Sequence, residues 1–258
     1  MKTFRGDFNK LFTKIKTGEN FAFSRFSDGE LFILENLELK LDDNIIQVGT
    51  DVVRGPYKKA DFKHFDPTIH QEFRTKLIDS FVHKQKNYYK GISCSCCVGK
   101  PRFDWQIEQH GGDDESLTWA NLWVNGNYPL FIFNVLPLLY NKKVVFTCNS
   151  EANLSRFPFV VKDFRVGYNA MINDWHVITQ MKEWIEQENI ENHLFLFSAS
   201  SFTNIAIYDL YREFPNNTYI DIGTCLAPMM DMPIERGYLQ AFWNYQSNMD
   251  IQKICVWN

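Results

Sequence analysis

Arg25, Asp28 and Glu30 stand close together in the run Phe21-Ala22-Phe23-Ser24-Arg25-Phe26-Ser27-Asp28-Gly29-Glu30. Two carboxylates separated only by Gly29 can hold a hard divalent cation through oxygen and leave positions open for phosphate oxygens. A guanidinium beside them can reach the same phosphates or fix a carboxylate's orientation. The chemistry these residue types support is capture of a metal–diphosphate. A local reading competes with it. Ser27-x-x-Glu30 ahead of the apolar Leu31, Leu34 and Leu37 is also a capping box, in which Ser27 caps a helix and Glu30 reaches back. Capping accounts for Ser27 and Glu30, but needs neither an acid at Asp28 nor Arg25 at its position.

Further polar clusters follow apolar runs in the second half. Asn149 and Ser150 come after 143–148. Ser198, Ala199, Ser200, Ser201 and Thr203 come after 193–197, and Asp221 and Gly223 follow the run 218–220. Hydroxyls and free N–H groups at a helix start suit a phosphate or a ribose, although Ser and Asn also lead at N-caps for local reasons. Three such clusters, each at the carboxyl end of a strand, outline one shared crevice, where ligands bind in open α/β sheets.

The elements that must position these groups alternate. Apolar spacing predicts helices over 5–17, 28–38, 67–86 (with Asp66 as cap), 175–188 and from Phe202 onward. Strands are expected over 21–25, 88–94, 143–148, 159–166, 193–198 and 218–223. An irregular region contains Val48-Gly49 and Arg54-Gly55-Pro56-Tyr57. Residues 100–127 read as an exposed excursion followed by a helical piece, and such excursions often carry substrate contacts. The alternation gives an α/β fold, a Rossmann-like, mainly parallel sheet flanked by helices, in a single domain over 1–258 with an excursion near 95–127.

The chain has 258 residues, 45% hydrophobic and 22% charged, an ordinary globular composition able to bury a full core. A net charge of −4 argues against a general nucleic-acid binder. No stretch at the start resembles a signal peptide, and the apolar run 128–140 is interrupted by Pro129, Asn134 and Pro137. A soluble, cytoplasmic protein is expected, free or peripheral to a membrane. Cys94-Ser95-Cys96-Cys97 lacks zinc-knuckle spacing, with His110 a lone distant candidate, so the reading is the end of a buried strand. Neither GxGxxG, GxxxxGK[ST] nor GxSxG occurs, which leaves metal and helix ends to bind a phosphorylated ligand.

Taken in succession, these motifs resemble the GT-D type of glycosyltransferase, a bacterial family once catalogued as a domain of unknown function. Arg25-Phe26-Ser27-Asp28-Gly29-Glu30 resembles its Arg-x-Gly-Asp-Gly-Glu segment with the Asp-x-Glu metal motif. Ser198-Ala199-Ser200-Ser201-Phe202-Thr203 is similar to its Gly-Pro-Thr-Ala-Thr turn, and the strand ending Asp221-Ile222-Gly223 to its Asp-Ile-Gly strand. Ser27, Ser198-Ala199 and Thr224 depart from the family's glycine, Gly-Pro and histidine. The resemblance spans about residues 20–225.

The resemblance implies a hexosyl- or pentosyltransferase of glycan biosynthesis using a UDP-sugar and Mn2+ or Mg2+. Asp28 and Glu30 would hold the metal and nucleotide. Arg25, Gly29, Ser200, Ser201 and Thr203 would line the diphosphate or ribose, with Asn149 and Asp221 on the rim. An inverting transfer also needs a base, for which Asp104, Asp113, Asp114, Glu115 and Glu151 are candidates. The acceptor, a glycan, glycolipid or glycoprotein, is expected at the aromatic-rich excursion with Phe103, Trp105, Trp119 and Trp123. The competing readings are another Rossmann-like transferase, such as a methyltransferase, and a non-catalytic nucleotide-sugar or carbohydrate binder stacking sugars on some of its seven Trp.

Overall fold

The computed structural model describes residues 2–42, 45–54, 62–245 and 249–258. In chain order its strands are β1 (Ala22–Phe26), β2 (Leu39–Asp42), β3 (Ile45–Val48), β4 (Asp51–Arg54), β5 (Lys63–Phe65) and β6 (Tyr88–Ile92). They continue with β7 (Leu117–Trp119), β8 (Val144–Asn149), β9 (Val160–Val166), β10 (Leu194–Ser198) and β11 (Thr218–Asp221). Seven of them form one sheet in the order β7-β6-β1-β11-β10-β8-β9, with every neighbouring pair parallel.

A parallel sheet must be covered on both faces, so its strands read as nearly unbroken apolar runs. Alternate residues then sort into two cores. Leu194 and Leu196 pack on one face with Phe4, Phe8, Trp119 and Trp123. Phe195 and Phe197 pack on the other with residues of the helices Gln71–Val82, Trp175–Gln187 and Phe202–Glu213. This is the α/β architecture expected from the alternation of elements.

Four expectations differ. The irregular region contains strands of a second, antiparallel sheet, β4-β3-β2-β5; Gly55, Pro56 and Tyr57 lie outside the described residues. The helix expected over 28–38 stops at Leu34, and Asn36 turns the chain at φ +61°. The helix expected over 67–86 is Gln71–Val82. Asp66 does not cap it, because its Oδ1 accepts the Thr68 N–H at 2.8 Å and closes a separate turn.

The fourth concerns residues 100–127. They hold the helix Lys100–His110 and then β7, an edge strand of the main sheet. Trp119 and Trp123 are each 1% exposed, and Phe103 is buried. The region completes the core rather than offering an aromatic platform, since Phe4 packs edge-on against Trp119 and Phe8 against Trp123.

Candidate functional site at the carboxyl ends of the sheet

From β1 the chain leaves toward β6 on one side, while β11 is reached from β10 on the other. The order therefore reverses between β1 and β11, and a crevice opens beyond their carboxyl ends. A cavity of about 360 Å³ lies there, within the range of about 300–1,000 Å³ typical of small-ligand sites. Arg25, Asp28, Glu30, Asn149, Ser200 and Asp221 all line it.

The capping box is present, and it divides the two acids. Glu30 is buried; its Oε2 accepts the Ser27 N–H at 3.0 Å and the Ser27 hydroxyl at 2.9 Å, and its Oε1 accepts the Ser201 hydroxyl. Asp28 is exposed, with Oδ1 accepting the Gly29 N–H at 3.1 Å. Burial pushes the Glu30 carboxyl up, but the Lys63 ammonium and the bonds from Ser201 and Ser27 outweigh it and hold the pKa below its ordinary value.

Arg25 reaches across the sheet ends. Its Nε donates to the Ala120 carbonyl at 2.6 Å, and Nη1 lies 3.7 Å from Asp221 Oδ1. Burial raises the Asp221 carboxyl to about 6 despite that cation, with the nearby Glu30 charge adding to the rise. One carboxylate is thus held ionised and its neighbour poised near neutrality, the pattern that perturbed sites display.

The turn after β10 supplies the opposite character. Ser200 sits at φ +53°, a left-handed conformation uncommon for a residue with a side chain. Ser201 occupies the N-cap position of Phe202–Glu213 but makes no side-chain cap, because its hydroxyl goes to Glu30. The positive end of that helix therefore meets the Glu30 carboxylate directly.

Other expected residues are placed differently. Ser201 and Thr203 are fully buried behind the cavity wall, and Thr203 Oγ1 has no hydrogen-bond partner. Gly29 does not line the cavity; a Cβ there would stand 3.4 Å from Lys63 Nζ. Glu151 lies at the rim, accepting the hydroxyl of the cavity-lining Tyr168 at 2.7 Å.

The remaining base candidates do not reach the site. Asp113, Asp114 and Glu115 precede β7, so in a parallel sheet they lie at the amino ends, opposite the cavity. Asp113 pairs with Lys2, and Asp114 with Lys84 at 2.8 Å. Asp104 pairs with Lys100 on an outer helix face.

Lys63, Glu235 and Tyr238 also line the cavity, and no sequence motif marks them. Lys63 arrives through the second sheet. Asn169 accepts the His64 N–H at 3.0 Å and donates to the His64 carbonyl at 3.1 Å, tying β5 to the loop after β9. That contact joins segments 105 residues apart and has no local signature.

No protein-family model matches the chain, and no curated protein does. Solved structures do match. One is described as "Selenomethionine substituted structure of domain of unknown function 1792 (DUF1792)", with a TM-score of 0.56 and 11% identity over 95% of this chain and 89% of that one. Another is described as "The highly conserved domain of unknown function 1792 has a distinct glycosyltransferase fold", with a TM-score of 0.56 and 12% identity over 93% of this chain and 87% of that one. The chain has the GT-D glycosyltransferase fold. Within this GT-D fold the cavity occupies the crevice between β1 and β11, and among the described residues no helix is long and apolar enough to cross a membrane.

Proposed function

We propose that the protein is a metal-dependent glycosyltransferase that takes a UDP-sugar and passes the sugar to a hydroxyl of a glycan, glycolipid or glycoprotein. The observation carrying this reading is the convergence on one cavity of exposed Asp28, buried and ionised Glu30, Arg25 and the Ser200 turn. The donor set suits Mn2+ or Mg2+, which is commonly held by one or two carboxylates together with substrate phosphates. Asp28 would hold the cation directly. Glu30, committed to Ser27 and Ser201, would act mainly through its charge. The chemistry such a cation supplies is neutralisation of the diphosphate and of the charge on departing UDP.

The chain's own groups divide the remaining work. Arg25 and the Ser200 turn face the diphosphate, and Asn149 and Asp221 form the rim for the nucleoside. Transfer breaks the bond between the anomeric carbon and the diphosphate oxygen and forms one to the acceptor oxygen. If the configuration inverts, the acceptor proton passes to a carboxylate, and Glu235 in the segment after β11 is the residue we assign to it.

Thermal shift with UDP-, GDP- and CMP-sugars and with S-adenosylmethionine, each with and without Mn2+, tests the reading, because a ligand stabilises only the fold that binds it. A rise with UDP-sugars that depends on Mn2+, followed by their hydrolysis, is expected. A rise with S-adenosylmethionine alone would point to methyl transfer, and binding without turnover to a carbohydrate-recognition protein.

A further inference from the structure

Four cysteines from two distant parts of the chain meet beside the cavity. The Sγ atoms of Cys94, Cys96, Cys97 and Cys255 all lie within 4.8 Å of one another. Cys94 Sγ is 3.2 Å from Cys96 Sγ and 3.3 Å from Cys97 Sγ. His110, considered with this run from the sequence, is elsewhere: its Nδ1 faces the Gly112 carbonyl at 2.9 Å and its ring packs on Phe81. The missing partner of the Cys94–Cys97 run is Cys255, almost at the end of the chain.

Backbone structure builds the cluster from both sides. Cys94 begins the short helix Ser95–Val98 directly after β6, and its carbonyl accepts the Cys97 N–H at 2.9 Å. The segment carrying Cys255 is laid against Gly126, whose N–H donates to the Lys253 carbonyl at 3.1 Å. A Cβ on Gly126 would come within 2.6 Å of that oxygen, so only glycine permits the approach. Trp257 completes the anchorage, edge-on to Trp119 at 5.0 Å and to Phe103 at 5.2 Å.

We propose that Cys94, Cys96, Cys97 and Cys255 form a structural zinc site that clips the C-terminal segment to the carboxyl end of β6. Tetrahedral zinc with Zn–S bonds of about 2.3 Å requires sulfurs about 3.8 Å apart; here Cys94 Sγ lies 3.2 and 3.3 Å from two of its neighbours and no pair exceeds 4.8 Å. A disulfide needs about 2.05 Å between two sulfurs and would leave the other pair unexplained. Asn121 Nδ2 donates to Cys97 Sγ at 3.3 Å and lies 3.9 Å from Cys255 Sγ, the type of outer contact that orients metal thiolates. The Lys253 ammonium beside Cys97 offsets part of the negative charge that four thiolates leave on a divalent ion.

The site has a consequence for the cavity. Asn121 both contacts the cysteines and lines the cavity, and the adjoining Ala120 carbonyl holds Arg25. Zinc there would fix the 120–125 loop between them. The proposal stands independently of the sugar-transfer reading.

Metal analysis of protein purified without chelators tests it. One equivalent of zinc per chain is expected, released as a mercurial titrates the thiols. Cys96→Ser and Cys255→Ser should each lose stoichiometric zinc, since binding needs all the deprotonated ligands, while Cys148→Ser, outside the cluster, should leave it unchanged. Reconstitution with Co2+ should give the intense thiolate charge-transfer bands of a tetrahedral site. Reduced wild-type protein that takes up neither zinc nor cobalt overturns the proposal, and this measurement needs no variant to fold. Iron or iron with sulfide in place of zinc would also overturn it, as would an intact mass showing the cluster closed into disulfides.

Discussion

The Arg25 guanidinium occupies the space that a side chain on residue 223 would fill. A Cβ on Gly223 would lie 1.8 Å from Arg25 Nη1, and Gly223 itself adopts φ +51°. Sheet order brings the two together, since β1 and β11 are neighbours.

Gly223→Ala should therefore displace Arg25 from Asp221 as well as strain the turn. Such a strained backbone costs about 1–3 kcal/mol, seen as a lowered Tm. Nucleotide affinity should fall alongside it. Wild-type affinity and Tm in Gly223→Ala would show that Arg25 holds no fixed position.

Asp28 and Glu30 should separate experimentally. Asp28→Ala should leave Tm near wild type and remove Mn2+-dependent nucleotide binding, because Asp28 is exposed. Glu30→Ala leaves Ser201 and Ser27 without their acceptor, and loss of a buried partner costs about 1–3 kcal/mol. Equal destabilisation in urea titrations, or unimpaired Mn2+-dependent binding by Asp28→Ala, would contradict this division.

Asp221 and Glu30 should give opposite pH signatures. A carboxyl raised to about 6 from an ordinary 3.8 binds its proton more tightly in the folded state. It therefore stabilises at low pH, and that contribution is lost as pH rises from about 4 to about 6. The difference in unfolding free energy between wild type and Asp221→Asn should fall across this window by at most about 2–3 kcal/mol. Glu30 is shifted downward, so its contribution is present above the unfolded value and is lost as pH falls through the folded one. Urea midpoints for Asp221→Asn and Glu30→Gln across pH 3–7 (a range spanning ordinary carboxylate values) check both signs.

Trp119 should behave as a core residue. Trp119→Ala should cost about 3–5 kcal/mol and lower every activity together. Trp119→Phe should be milder, since the Trp119 Nε1 has no hydrogen-bond partner to lose. Selective loss of transfer to an acceptor with unchanged stability would instead make Trp119 part of a sugar platform.

Local pattern sufficed for much of this molecule. The apolar runs at β1, β8, β10 and β11, the helical spacing after Phe202 and the polar residues just past each strand are short-range features, because a strand or helix is set largely by its own periodicity. Once parallel connections are assumed, those carboxyl ends share one side, which is why Arg25, Asp28, Glu30, Asn149, Ser200 and Asp221 could be grouped from sequence. Tertiary structure decided the rest. Sheet order and register brought Lys63 to Glu30 through the second sheet, sent Asp113, Asp114 and Glu115 to the opposite end, buried Trp119, and returned Cys255 to Cys94. These are contacts between residues far apart in the chain, selected by which faces must be buried together, and no local spacing records that choice.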